Sequence, residues 1–264
     1  MSQRAILRHL LNLRAGFDEL AASSSVPPEA HALNIAPQAG ASHSGTVWRP
    51  TRPSEASRRP ALRGRGSVRG TLVDMSSGRE LVFESLLERG LAEMLMARHD
   101  VNHIADQPPA VHYVTPDGRT RGHTFDFLVR TVDGRRLAIA VKPEAKVERS
   151  GIQATLSLVR AQVGSRFADA YLLRTDRHIT RERVFNAQLL LRSRVCRIEA
   201  DVAAVWAIAG TLPGKFRLAD IVAHAGIGAR GFNAVICLID DGRLEPGEAS
   251  KIGYLTYLRR AAAK

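Results

Sequence analysis

The sequence predicts a mixed α/β fold followed by a small, mainly helical module. Three observations carry that expectation. From Phe83, apolar residues recur at Leu87, Leu91, Met94 and Leu95, a spacing of about 3.6 residues that marks one face of a helix. Two stretches then alternate with period two, Thr124 to Arg130 and Leu137 to Lys142, as half-buried strands do. Beyond Asp201 the strands give way to successive apolar helical stretches.

The chain has 264 residues and a formal charge of +12. That is long enough for one large domain or two small ones, and basic enough to expect a polyanionic partner. Most of the positive charge is arginine, which also follows genome composition, so charge alone does not name the partner. Cys196 and Cys237 lack metal-ligand spacing and fit a reducing compartment. No apolar run approaches the ~20 residues of a membrane span, and no signal peptide is visible.

Taken in order, Met1 to Arg14 interleaves Arg4, Arg8 and Arg14 with Ile6, Leu7, Leu10 and Leu11. It reads as a short amphipathic docking helix, with a targeting presequence as the competing reading. Ala21 to His43 is rich in Ala, Ser and Pro and reads as a linker. Arg49 to Arg69 sets Arg49, Arg52, Arg58, Arg59, Arg63, Arg65 and Arg69 among Pro, Gly and Ser. Such an arm buries little and is expected to be loosely ordered. Arg58, Arg59, Arg63, Arg65 and Arg69 suit contact with DNA phosphates; a solvated basic linker is the plainer alternative.

The helix from Phe83 sets Glu84 and Glu88 one turn apart beside its apolar face. Asp100 to Tyr113 leads into a strand ending near Val114, and Thr115-Pro116-Asp117-Gly118 is a turn. In the first alternating stretch Phe125, Phe127 and Val129 share one face, with Asp126 opposite. In the second, Leu137, Ile139 and Val141 share a face and Ala138, Ala140 and Lys142 take the other. His123, beside the first strand, is read as structural.

The turn between these strands sets their register. A two-residue Asp133-Gly134 loop would pair Asp126 with Val141 and put Lys142 on the wrong face. A three-residue loop, Val132 to Gly134 with Gly134 left-handed, pairs Asp126 with Ala140. Lys142 is then the diagonal neighbour, roughly 7 Å away. The longer loop is expected, because it brings Asp126 and Lys142 together with Glu88 delivered by the packed helix.

After Lys142, Pro143 ends the strand. Gly151 to Val163 is expected as a helix, Phe167 to Leu173 as a buried strand, Thr180 to Leu191 as a helix and Val195 to Ile198 as a short strand. Val202 to Ala209, Leu218 to Ala225 and Ala229 to Asp240 are expected as helices and Lys251 to Leu258 as a strand. Three helices and a small hairpin suggest a winged helix, whose third helix often reads DNA. Here that helix is apolar, and only Arg230 and Asn233 near its start suit DNA. A protein-docking or structural role competes.

The motifs Ser85-Leu86-Leu87-Glu88, Asp126-Phe127-Leu128-Val129 and Ala140-Val141-Lys142-Pro143 resemble the catalytic domain of TnsA, the endonuclease subunit of heteromeric cut-and-paste transposons. Gln107-Pro108 and an expected helix entry at Ser76-Ser77-Gly78-Arg79 are weaker signposts. The resemblance implies a restriction-endonuclease-like mixed-sheet nuclease core, with a small C-terminal winged-helix-like domain beside it. The expected layout is a basic arm and linker over 1–70, the nuclease domain over 71–200 and the C-terminal domain over 201–264. It also implies cleavage of one DNA strand at each transposon end, a separate integrase-type transposase for the other strand, and an ATPase regulator engaged by the C-terminal domain. The setting would be the nucleoid in a prokaryotic cytoplasm.

Phosphodiester hydrolysis needs an activated water and neutralised phosphate charge, which Mg²⁺ supplies while preferring oxygen ligands. Glu88, Asp126 and the backbone carbonyl of Val141 are the expected ligands, with Mn²⁺ able to substitute. Lys142 would orient or deprotonate the water, or stabilise the developing charge. One departure stands out: Ala140 occupies the place where the family usually carries Gln or Glu, so one ligand is missing. Glu84 and Glu144 are the candidate compensating acids. A restriction or repair nuclease outside any transposon, and a DNA-binding or assembly subunit with a decayed site, are the alternatives.

Overall fold

Ser85 decides where the first helix begins. In the computed structural model, which describes residues 50–58, 68–248 and 250–262, helix α1 spans Leu86–Met96 and Ser85 is its N-cap. The Ser85 hydroxyl accepts the Glu88 N–H at 3.1 Å, and Glu88 Oε2 accepts the Glu84 N–H at 2.7 Å. These two bonds satisfy donors that an uncapped helix start leaves open. Phe83 is therefore not helical. It ends strand β2 (Arg79–Phe83), which pairs antiparallel with β1 (Gly70–Asp74). Ser76 and Ser77, expected at a helix entry, instead form the turn of this hairpin. Both their hydroxyls donate to the Asp74 carboxylate at 2.7 Å.

The central sheet has four strands in the order β3 (Val101–Asp106), β6 (Phe127–Thr131), β7 (Arg136–Val141) and β8 (Ala170–Arg174). β3, β6 and β7 are antiparallel neighbours, and β8 joins β7 in parallel. The β7–β8 crossover runs through α2 (Glu144–Ser150) and α3 (Ile152–Val163). Pro143 thus starts a helix as well as ending a strand. A side hairpin is formed by β4 (Val111–Val114) and β5 (Thr120–His123).

The turn after β6 is the expected three-residue loop. The Thr131 N–H reaches the Arg135 carbonyl at 2.9 Å, and Gly134 takes φ +84°, a left-handed conformation that glycine adopts without steric cost. Phe127 to Arg130 pair with Ile139 to Arg136 in the register this loop dictates.

Two apolar layers cover the sheet. Leu91 and Leu95 of α1 pack with Phe127, Val129, Ile139 and Val141 on one face. Ile152, Leu156 and Val159 of α3 pack with Ala138, Ala140, Tyr113 and Phe125 on the other. Phe125 was expected beside Phe127 and lies on the opposite side. The Asp126 N–H donates to Ile139 O at 3.0 Å although Phe127 already pairs with Ile139. Two residues opposite one is a bulge, and it reverses the alternation.

Helix α4 (Arg181–Val195) packs over α1. Gly90 permits the approach, because a Cβ there would lie 2.8 Å from Val184 Cγ2. The far side of α4 meets a second core through Leu189 and Leu190. That core comprises α5 (Glu199–Thr211), α6 (Leu218–Ala225), α7 (Ala229–Asp240) and a small sheet ordered β10 (Leu244–Pro246), β11 (Tyr257–Arg260), β9 (Lys215–Arg217). The strand expected over Val195 to Ile198 does not form. Val195 ends α4 and Ile198 is the N-cap of α5. The final strand lies at Tyr257–Arg260, later than expected.

Arg194 ties the two cores together. Its guanidinium holds the Asp240 carboxylate at 2.7 and 2.8 Å and reaches the carbonyls of Met96 and Ala97 at 3.0 and 2.6 Å. The last two bonds satisfy open acceptors at the end of α1. Pro50–Lys264 is accordingly one compact unit.

Arg230 and Asn233, expected to suit DNA, both have local partners. Arg230 grips Asp201 at 2.5 and 2.7 Å, and the Asn233 amide donates to Cys196 O at 2.9 Å.

The expected helix over Met1 to Arg14, the linker over Ala21 to His43, and Arg49, Arg59, Arg63 and Arg65 lie outside the described residues. Residues 50–58 do not form the loose arm expected of them. The Arg52 N–H donates to Gly78 O at 2.8 Å, and Arg52 O accepts the Glu80 N–H at 2.9 Å. Glu55 pairs with Arg79 and, at 2.9 Å, with His103. This segment is a strap along β2 and β3.

Candidate active site

The site forms where the bulge in β6 meets the end of β7. Because the ladder slips at Asp126, its carboxylate turns along the sheet, and Oδ2 accepts the Val141 N–H at 2.6 Å. The N–H and C=O of one strand residue point to the same side, so the Val141 carbonyl is directed to the β6 side of β7. Burial, and next the charge of Glu88, push the Asp126 carboxyl up to about 7. The Val141 hydrogen bond and the charge of Lys142 pull it back, and Glu84 adds a smaller push. Glu84, Glu88 and Lys142 therefore all act electrostatically on Asp126.

Glu88 has a second occupation. Oε1 accepts the Ser85 hydroxyl at 2.9 Å while Oε2 takes the Glu84 N–H at 2.7 Å. The Ser-x-x-Glu spacing that marks the nuclease motif is also a capping spacing, and here it caps. Glu84 precedes the helix rather than lying a turn before Glu88 on it, yet it stays beside the site. Glu144 has partners of its own: its N–H donates to Asp176 at 2.7 Å and its carboxylate pairs with Arg177 at 3.3 Å.

Ala140 is 2% exposed, and its methyl packs in the layer that holds Phe125 and Ile152. It was expected to face the metal pocket and instead belongs to the core. Both Ala140→Leu and Ala140→Gln should therefore overpack this layer and cost about 1–3 kcal/mol of stability. A Gln variant with unchanged melting and raised Mg²⁺ affinity would put this side chain back in the site.

Two residues were underweighted in the sequence. His123 stacks edge-on against Phe125 with centroids 4.7 Å apart. Burial, and after it the charge of Lys142, hold its imidazole below the ordinary range. Gln107 is buried with φ +39°, a conformation unusual outside glycine. Its N–H donates to Asp126 O and its carbonyl accepts the Ser57 N–H, both at 2.9 Å. The Gln107-Pro108 pair was the available signal, but nothing in it connects the strap to Asp126.

Among the described residues no three His, Cys, Asp or Glu side chains form a metal-holding group. The oxygen donors on offer are the Asp126 and Glu88 carboxylates, which interact electrostatically, and the Val141 carbonyl. That set suits Mg²⁺, which binds through one or two carboxylates and keeps several waters. The elevated Asp126 carboxyl beside Glu88 is also a repulsion that a bound cation would relieve.

A mixed sheet with an acid before one strand, a lysine after the next and a second acid on the packed helix defines a candidate nuclease. Residues 98–187 match the family model for the TnsA-like endonuclease N-terminal domain, so the chain carries a TnsA-like nuclease domain. The match includes Asp126 and Lys142 and begins after Glu88. Comparison with curated proteins gave no match.

Proposed function

We propose that this protein is a metal-dependent DNA endonuclease that cuts one strand at each transposon end during cut-and-paste transposition. The observation that carries the reading is the convergence of Glu88, Asp126 and Lys142, with Asp126 and Lys142 inside the matched nuclease domain. Asp126, Glu88 and the Val141 carbonyl would hold Mg²⁺, with Mn²⁺ as a substitute. When bound, the metal would lower the pKa of a water and neutralise phosphate charge. Lys142 would orient or deprotonate that water, or stabilise the charge that develops on the phosphate. Burial of Asp126 keeps its carboxylate fixed on Val141.

The winged-helix reading of the C-terminal core belongs to this proposal. With Arg230 and Asn233 engaged locally, docking of a protein partner suits the module better than base reading by α7. An integrase-type transposase and an ATPase regulator would complete the assembly, on the nucleoid of a prokaryotic cell. Among the described residues no helix is long and apolar enough to cross a membrane.

Nicking of supercoiled plasmid with Mg²⁺ or Mn²⁺, abolished by EDTA, tests the chemistry. Genes for an integrase-type transposase and an ATPase beside its own would separate a transposon nuclease from a restriction or repair enzyme. The buried Ala140 and the capping role of Glu88 favour the second reading, an assembly subunit with a decayed site. Complete absence of metal-dependent nicking, also with the transposase present, would establish that reading.

The basic segment gives a further expectation. Replacing residues 59–67 by a Gly-Ser linker removes Arg59, Arg63 and Arg65 and leaves the strap in place. Binding to all DNA sequences should weaken alike, and the salt slope should flatten by about 0.9 for each phosphate that is no longer neutralised. An unchanged slope would make this segment a bystander.

A further inference from the structure

The strap over residues 50–58 ends at the candidate site. Ser54 Oγ donates to Asp106 Oδ2 at 2.6 Å, and that oxygen also accepts the Val82 N–H at 2.6 Å. Asp106 is fully buried. Ser57 follows, with its N–H and its hydroxyl both on Gln107 O at 2.9 Å. The next residue is Arg58. Its Nη2 lies 3.1 Å from Glu84 Oε2, and its Nε is 3.3 Å from Gln107 Oε1. Its side chain remains 59% exposed.

Arg58 is thus a solvent-facing guanidinium on a fixed backbone, one residue from the strap's bond to Gln107, whose own N–H holds Asp126. Its partner Glu84 is one of the charges that act on Asp126. An exposed ion pair of this kind is weak, because water screens it and two long side chains must be held in place. An arginine–phosphate pair is charge-assisted, with a planar fork matched to two oxygens. A DNA phosphate arriving at the site would therefore compete well for the guanidinium.

We infer that Arg58 is a phosphate-positioning residue that exchanges Glu84 for a phosphate of the DNA strand entering the site. This rests on the nuclease reading for its place in catalysis, but its binding chemistry stands apart from cleavage. The strap supplies the geometry: the fork is carried by a segment pinned at Ser54 and Ser57, so little freedom is given up when the phosphate binds. Glu84 serves as a resting partner of the guanidinium.

The test uses the full chain and a short duplex of arbitrary sequence, with affinity measured by fluorescence anisotropy against salt concentration. Arg58→Ala should weaken binding and lower the salt slope by about 0.9, the value of one neutralised phosphate. Arg58→Lys should keep the slope, since its point charge still neutralises one phosphate. Glu84→Gln removes the competitor and should tighten binding several-fold, and that gain should vanish in the Arg58→Ala background. Thermal melts of all variants separate binding from folding.

An Arg58→Ala variant with wild-type affinity and slope overturns the inference, whatever its melting temperature. So does a Glu84→Gln gain that persists without Arg58, or a wild-type chain that shows no salt-dependent binding. Plasmid nicking is scored in parallel. Wild-type cleavage with an unchanged Arg58→Ala slope would retain the nuclease and reject the positioning role; altered slopes without any cleavage would do the reverse.

Discussion

Lys142→Ala is expected to abolish nicking while the protein stays folded and still binds DNA. Lys142 follows β7 directly, and its N–H continues the pairing with β8 through Arg174 O at 3.0 Å. That backbone bond does not depend on the side chain. The side chain is half-buried, and its charge acts on Asp126 and His123. Removing a group that moves a proton or stabilises developing charge costs roughly 10²-fold or more in rate. The stability change should be small, below about 2 kcal/mol, because the core packing is untouched. Lys142→Met keeps the aliphatic stem and should be equally inactive with even less effect on melting. A large drop in melting temperature for both variants would show that the lysine is the structural partner of Glu88 and Asp126, and the catalytic assignment would fall.

Asp126→Asn should likewise be inactive, yet it is expected to make the metal-free protein more stable at neutral and alkaline pH. The Asp126 carboxyl is raised from 3.8 to about 7, first by burial and then by Glu88. Between those two values the folded chain holds a proton that the unfolded chain has released. Stability is therefore fully present below the lower value and is lost as pH rises through the upper one. Each unit is worth about 1.4 kcal/mol, so the full effect is on the order of 4 kcal/mol. Asparagine does not titrate, and its amide oxygen can still accept the Val141 N–H. Denaturant unfolding at about pH 5 and about pH 8 should show a gap between variant and wild type that opens with pH. Mg²⁺ should narrow the gap by stabilising the wild type selectively. A variant less stable than wild type at the higher pH would mean that the carboxylate is already compensated, and the case for a metal at Asp126 would weaken.

The local rules that shaped the fold were readable where they acted over a few residues. Gly134 and the preceding two residues set the β6–β7 loop, and that loop alone decided the register of Phe127 to Arg130. Thr180 capped α4 where its helical pattern began. The capping spacing of Ser85 and Glu88 was equally local. It was masked because Phe83 happens to fall in phase with the apolar stripe of α1, which made the helix look three residues longer.

Alternation predicts which face a side chain takes only while the ladder stays regular. The bulge at Asp126 broke it, sending Phe125 to the far layer and the Asp126 carboxylate onto the Val141 N–H, and no residue nearby announces it. Ala140 could be read as a missing ligand from its position, but whether its methyl met solvent or core depended on α3 and on Phe125 crossing over. The strap is the clearest case. Ser54 finds Asp106, and Arg58 finds Glu84 and Gln107, across separations of 52, 26 and 49 residues. A Pro- and Arg-rich segment carries no periodicity of its own, so its order comes from buried polar groups on β2 and β3 that must be paired once water is excluded. The sequence alone therefore determined the turn that aligns β6 with β7, while tertiary packing decided which side chains surround Asp126 and Lys142.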